Sequence, residues 1–214
     1  MKPIKTLKKV FGYYYLPMYI IVRPFSGFYA MKYENKGSLL LALFNFLALS
    51  ISISFANQYA SVLVNPRHPN SVNSLFDFSM LSIALLLFCV SNWAVTSLTD
   101  GKGRFKDIIM TVCYAMTPMV LTIIPAAVFS NILTLEEGAF YFIILNVSVF
   151  WFIVLVFAGL VTVHSYTAKK AVATVFLTFI ALLVIVFLIT LLLTLLQQLA
   201  IFISSVYTEI MFRV

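Results

Sequence analysis

The stretch 171–203 carries no charged residue and only a handful of polar ones. No water-soluble fold buries a helix that is apolar on all sides at this length. An apolar run of about 18 residues or more reads instead as a membrane crossing. Four further blocks have the same character, over about 38–56, 76–98, 108–133 and 139–163. Each meets the roughly 17–25 residues that a spanning helix needs. Lipid offers the backbone no hydrogen-bond partner, so segments of this length must be helices. The expected fold is therefore all-α, a polytopic membrane protein built as a bundle of five transmembrane helices. Composition agrees: of 214 residues, 63% are apolar and 10% charged, against roughly 25% charged in a soluble domain.

The chain accordingly divides into an arm over 1–37, a five-span membrane domain over 38–204 and a short tail over 205–214. As one helix, 171–203 would extend about 50 Å, well beyond a hydrocarbon core of about 30 Å. The fifth crossing, 171–196, is expected to end near Gln197 and Gln198, by tilting or by a break there, with the tail on the far surface.

The arm opens with Lys2, Lys5, Lys8 and Lys9 and continues into Tyr13, Tyr14, Tyr15 and Tyr19. Pro17, Arg23 and Pro24 interrupt the aromatic stretch 11–28. That pattern is neither a signal peptide nor a span. It suits an amphipathic segment lying in the interface, with its rings at headgroup level.

Charge sets the orientation. Seven Lys/Arg precede the first span, three (Lys102, Arg104, Lys106) lie between the second and third, and two (Lys169, Lys170) between the fourth and fifth. The opposite side has Arg67 and Arg213 alone. Twelve basic residues against two place the N-terminus in the cytoplasm and the C-terminus outside. The net charge of +7 thus points to anionic lipid headgroups and not to nucleic acid.

Ionisable residues in mid-span mark pumps, relays and intramembrane active sites. None is present here: Asp77 and His164 sit at span ends. Cys89 and Cys113 lie in apolar stretches without metal-ligand spacing. No catalytic residue, metal site or cofactor is expected, and the chain does not read as an enzyme. The polar residues Asn45, Asn92 and Asn146 read as interhelical glue or, alternatively, as the lining of a hydrophilic cavity. Pro118 and Pro125 should kink the third span.

The most informative segment runs from Asn92 to Pro118. It comprises Asn92-Trp93, then Thr99-Asp100-Gly101-Lys102-Gly103-Arg104-Phe105-Lys106-Asp107, then Tyr114-Ala115-Met116-Thr117-Pro118. Gly101 and Gly103 suit a tight turn between antiparallel helices. Lys102, Arg104 and Lys106 should face the cytoplasm, Asp100 and Asp107 should lie in a wet loop, and Phe105 should fold back into the interface. The segment reads as a helix hairpin with an anchoring basic patch or as a recognition surface for a partner.

This segment resembles the Yip1 domain family: an aromatic near a helix end (Trp93), Gly-x-Gly-x-Phe (Gly101, Gly103, Phe105), then Tyr-Ala-x-x-Pro (Tyr114, Ala115, Pro118). The stretch Pro24-Phe25-Ser26-Gly27-Phe28 is similar to the family's entry motif. His164 followed by Lys170-Ala171 is similar to its fourth-to-fifth junction, beside Lys169. The resemblance covers about residues 20 to 200. It implies a five-span bundle with a cytoplasmic N-terminus. Eukaryotic members work in early secretory traffic with Rab GTPases, but they carry a long N-terminal region that this chain lacks. The chain is more similar to compact bacterial members, some encoded beside ABC transporter components. The implied role is an accessory or scaffolding subunit of the bacterial cell membrane, partnered by another membrane protein. The alternative is a small-solute channel, transporter or lipid-handling protein using Asn45, Asn92 and Asn146.

Overall fold

The computed structural model describes residues 15–65, 72–134 and 136–213. Lys2, Lys5, Lys8, Lys9, Tyr13, Tyr14 and Arg67 lie outside the described residues. Helix α1 covers 15–22, followed by α2 (Pro24–Tyr33), α3 (Leu39–Tyr59), α4 (Ser74–Leu98), α5 (Phe105–Ala115), α6 (Thr117–Phe129), α7 (Gly138–His164) and α8 (Ala168–Arg213). No strand occurs among the described residues. Five units are long and apolar enough to cross a membrane: α3, α4, α5 with α6, α7 and α8. The protein is an all-helical, multi-pass membrane protein, as its apolar blocks require.

The α5–α6 unit stands at the centre. Its most apolar window is 56% buried, against 28% or less in the other four units. It packs against α3, α4 and α7, while α8 packs chiefly along α4.

The central span is broken at Met116. Pro118 has no N–H to give Tyr114, and its ring opposes a continuous helix there. Two side chains satisfy the released carbonyls. The Thr117 hydroxyl donates to the Tyr114 carbonyl at 2.6 Å, and Asn45 Nδ2 on α3 donates to the Cys113 carbonyl at 2.6 Å. Asn45 also donates to Thr117 Oγ1 at 3.1 Å. An orphan carbonyl in lipid costs several kcal/mol, so partners of this kind accompany proline in spans. Pro125, by contrast, lies within the continuous helix α6.

Two expectations change. The arm does not present an amphipathic helix over its described part. Leu16, Ile20, Phe28 and Met31 are buried in the main core, and α2 packs on α7. The exposed side of α1 and α2 is aromatic as well, with Tyr15, Phe25, Tyr29 and Tyr33. With apolar groups on both sides, this segment is part of the bundle's fold. The second concerns one of the two alternatives for α8: it runs 46 residues without a break at Gln197 and Gln198, a length of about 69 Å, which leaves tilting. Glutamine is a good helix former, and no glycine or proline interrupts 168–213. From Val186 to Phe212 every side chain is exposed.

Candidate functional site

One end of the bundle gathers the α2–α3 turn, the α4–α5 loop and the α7–α8 junction. Hydrogen bonds join them across long sequence separations. The Lys32 ammonium, on the last turn of α2, donates to the Lys102 carbonyl at 2.9 Å and to the Val163 carbonyl. Val163 lies in the last turn of α7, where free carbonyls and the helix dipole favour a cation. The Tyr33 and Ser165 hydroxyls meet at 2.7 Å. The Tyr166 hydroxyl donates to the Thr99 carbonyl at 3.2 Å and pairs with Thr99 Oγ1 at 2.8 Å.

His164 sits at the middle of this face with 1% exposure, its ring stacked on Tyr166. Its Nδ1 accepts the Gly103 N–H at 3.3 Å. An acceptor nitrogen carries no proton, so a neutral ring holds its proton on Nε2. No hydrogen-bond partner is present for Nε2 among the described residues.

The glycines serve clearance and not the turn itself. Neither Gly101 nor Gly103 has a positive φ. A Cβ on Gly101 would lie 2.6 Å from His164 Nδ1 and 2.7 Å from the Tyr166 hydroxyl, and one on Gly103 would lie 2.6 Å from His164 Cε1. The left-handed residue of the turn is Asp100, at φ 55°. Asn35 in the α2–α3 turn and Ser165 in the α7–α8 junction have the same sign, at φ 52° and 56°. All three connections at this end therefore turn on a non-glycine residue in the left-handed region. Such backbone costs on the order of 1 kcal/mol or more per residue, least for Asn and Asp.

Asp107 corrects the wet-loop expectation. It is 2% exposed, at the third position of α5, and its carboxylate accepts the Arg104 N–H at 3.1 Å and Arg104 Nε at 3.4 Å. An acidic side chain at this position reaches back to a free N–H and meets the positive end of the helix dipole. Asp100 remains exposed, as do Lys102, Arg104, Lys106, Lys169 and Lys170. Lys170 stands over the Tyr166 ring at 4.8 Å. Phe105 meets the half-exposed Trp93 edge-on at 6.0 Å. Beside this surface lies an open groove of about 730 Å³ lined by Tyr15, Tyr19, Phe25, Tyr29, Glu34 and Lys36, among others.

A family model, the Yip1 domain, matches residues 18–191. The chain belongs to the Yip1 domain family. No curated protein and no solved structure matches it.

Several of the residues that carry the likeness to the Yip1 family have structural work in the fold. Tyr114 is fully buried, and its hydroxyl donates to the Ser38 carbonyl at 2.9 Å and accepts the Ser38 N–H at 3.1 Å, fixing the start of α3. Pro118 sets the break at Met116. The three intramembrane asparagines do not share a cavity. Asn45 serves the helix break. Asn92 is buried and donates to Thr178 Oγ1 on α8 at 3.1 Å. Asn146 faces outward from α7. Cys89 and Cys113 are buried free thiols.

Sequence reasoning misses Lys32 as a structural cation and misses Tyr33, Ser165 and Tyr166 altogether; Thr99 opens the informative loop in sequence, without the role the structure gives it. Lys32 was legible as a positive charge beside a span, but no local pattern ties position 32 to positions 102 and 163.

Proposed function

We propose that this Yip1 protein is a non-catalytic accessory or scaffolding subunit that binds a membrane or cytoplasmic partner through its basic end. One observation carries the reading. The arm, the α4–α5 loop and the α7–α8 junction, distant in sequence, are tied into a single face. That face leaves Lys102, Arg104, Lys106 and Lys169 exposed on its surface. Fixing three connections in costly left-handed turns suits a surface whose shape matters. A positive surface with exposed aromatics nearby suits an acidic protein partner or anionic headgroups.

The positive-inside rule puts this face in the cytoplasm and the C-terminal end of α8 outside. The resemblance to compact bacterial members supports the bacterial cell membrane as the setting and a transporter permease as the class of partner. No enzymatic activity is part of the proposal.

The test is a mild-detergent pull-down of the tagged full chain from its native membrane, read by mass spectrometry. A stoichiometric membrane partner is expected. Changing Lys102→Glu, Arg104→Glu and Lys106→Glu together should lower its recovery at least tenfold at unchanged expression. Recovery that survives the triple reversal would remove the α4–α5 loop from the interface, and a solitary chain would sink the accessory role.

A further inference from the structure

Helix α2 runs alongside α7 in the same direction and at a fixed register. Phe28 meets Gly159, Lys32 meets the Val163 carbonyl, and the Tyr33 hydroxyl meets that of Ser165. The last two pairs are 131 and 132 residues apart, and the first is 159 − 28 = 131 apart. Carried back to Arg23, the residue before α2, this register makes Arg23 level with Val154. Val154 lies about 15 Å along α7 from His164. All 27 residues of α7 extend about 40 Å, so a hydrocarbon core of about 30 Å leaves about 5 Å of helix at each end. The Arg23 backbone therefore stands about 10 Å inside the core, measured from the basic end.

Helix α1 accompanies α2 back to that end. A Cβ on Gly27 would lie 2.9 Å from Ile20 Cα, so the two helices touch there. Tyr15 shares a groove with Glu34, Lys36 and Thr162, at the other end of α2. The two helices form a hairpin that enters the membrane and returns without crossing it, with Arg23 at the apex. Val22 and Phe25 beside it are exposed and apolar, as a lipid-facing apex requires. Arg23 is exposed as well, and its guanidinium has neither a hydrogen bond nor an ion pair among the described residues. The carboxylate of this hairpin, Glu34, is about 15 Å away along α2 and pairs with Lys36. A charge at this depth is costly without an anion or a polar route to water.

The groove between α1 and α2 is such a route. Tyr15 and Tyr19 precede Arg23 at four-residue spacing along α1, and Ser26 and Tyr29 face them from α2. Four hydroxyls thus run from the apex towards the cytoplasmic mouth, where Lys36 stands. Hydroxyls donate to oxygen anions, and a guanidinium takes two phosphate oxygens at once. The phosphates of the adjoining leaflet are the anions at the mouth of the groove. A row of several donors suits a phosphate group better than the two oxygens of a carboxylate on a partner helix. We infer that the α1–α2 hairpin is a phospholipid site, in which Arg23 holds the phosphate of a cytoplasmic-leaflet lipid drawn into the tyrosine-lined groove. This site is separate from the exposed lysines of the α4–α5 loop, so it stands or falls independently of the partner proposed for them.

Native mass spectrometry of the full chain tests the site. Protein released into mild detergent from phosphatidylglycerol vesicles, or from phosphatidylcholine vesicles, should retain one phospholipid per chain, because both lipids carry the phosphate. Arg23→Leu should lower that retention about tenfold or more, as loss of a charge-assisted bidentate contact demands. Arg23→Lys keeps the charge without the fork and should fall between the two. Tyr19→Phe with Tyr29→Phe removes only hydroxyls and should lower retention several-fold. Arg23→Leu takes a charge out of lipid, so it should unfold no earlier than the unaltered chain in mixed micelles; earlier unfolding would make Arg23 a contact of the fold and overturn the site. Retention undiminished by Arg23→Leu, or equal retention of diacylglycerol, which lacks phosphate, would also overturn it. So would an unaltered chain that keeps no lipid but loses a co-purifying membrane protein on Arg23→Leu, since the anion would then be a partner's carboxylate.

Discussion

Gly159→Ala sets two effects of known size against each other. Gly159 is a buried residue of α7 that faces Thr111 of α5 and Phe28 of α2. A Cβ there would stand 2.3 Å from Thr111 Cγ2 and 3.1 Å from two atoms of the Phe28 ring, where ordinary contact begins at 3.4 Å. The shortfall at Thr111 is 3.4 − 2.3 = 1.1 Å. Thr111 cannot turn its methyl away freely, because its hydroxyl donates to the Asp107 carbonyl at 2.7 Å. Both neighbours are fully buried. Overpacking of this kind costs about 1–3 kcal/mol, and an overlap of this depth belongs at the upper end. Alanine returns about 1 kcal/mol through its better helix propensity. The net expectation is a loss of about 2 kcal/mol. Thr111→Ser removes the clashing methyl and keeps the hydroxyl, so it should recover most of that loss in the double variant. Reversible unfolding in mixed micelles, followed by the fluorescence of Trp93 and Trp151, measures both. A Gly159→Ala protein more stable by about 1 kcal/mol, as propensity alone demands, would refute the packing argument. So would a double variant no more stable than Gly159→Ala.

Lys32→Met removes the cation that joins α2 to the α4–α5 loop and to the end of α7. Hydrogen bonds to charged groups are worth about 1.5–3 kcal/mol, and partial exposure of Lys32 brings the expected loss to about 1–2 kcal/mol. Amide exchange over α2 should accelerate before any other helix, and unchanged exchange would contradict the bridging role. Asn45→Leu leaves the Cys113 carbonyl without its side-chain donor, and a destabilisation of about 0.6–1.7 kcal/mol is expected in the same micelle titration. At the opposite end, the Thr134 N–H and hydroxyl hold the exposed Glu137 carboxyl below its ordinary value of 4.5. A lowered acid constant means that this contact stabilises the fold above the unfolded value and is lost as pH falls through the folded one. The protection of the Thr134 amide, its exchange rate relative to that of an unstructured peptide at the same pH, should therefore fall as pH drops below the ordinary carboxylate range. Glu137→Gln should abolish that pH dependence; if it persists, the carboxylate is not its source.

Much of the architecture was legible in the chain, because lipid leaves the backbone few choices. Runs of about 20 apolar residues must be helices, and five runs give five spans. Pro118 announced a break in the third span for a local reason, a missing N–H. The family was legible from Gly101, Gly103, Phe105, Tyr114 and Pro118 without any knowledge of what these residues do. Their roles emerge only in three dimensions. Gly101 and Gly103 read in sequence as turn residues, but they are there to admit His164 at the end of α7 and Tyr166 in the α7–α8 junction.

What the sequence determined by itself was therefore set by short-range rules: hydrophobic length and proline geometry. Tertiary structure alone decided which residues meet. It buried Asp107 under the first turn of α5, turned Asn146 outward, brought Asn45 to the break at Met116 and drew Lys32 to carbonyls 70 and 131 residues away. The physical reason is that a span's composition fixes its solvent but not its rotation about its own axis. In a helix apolar on every side, only packing against neighbours selects the face that is buried.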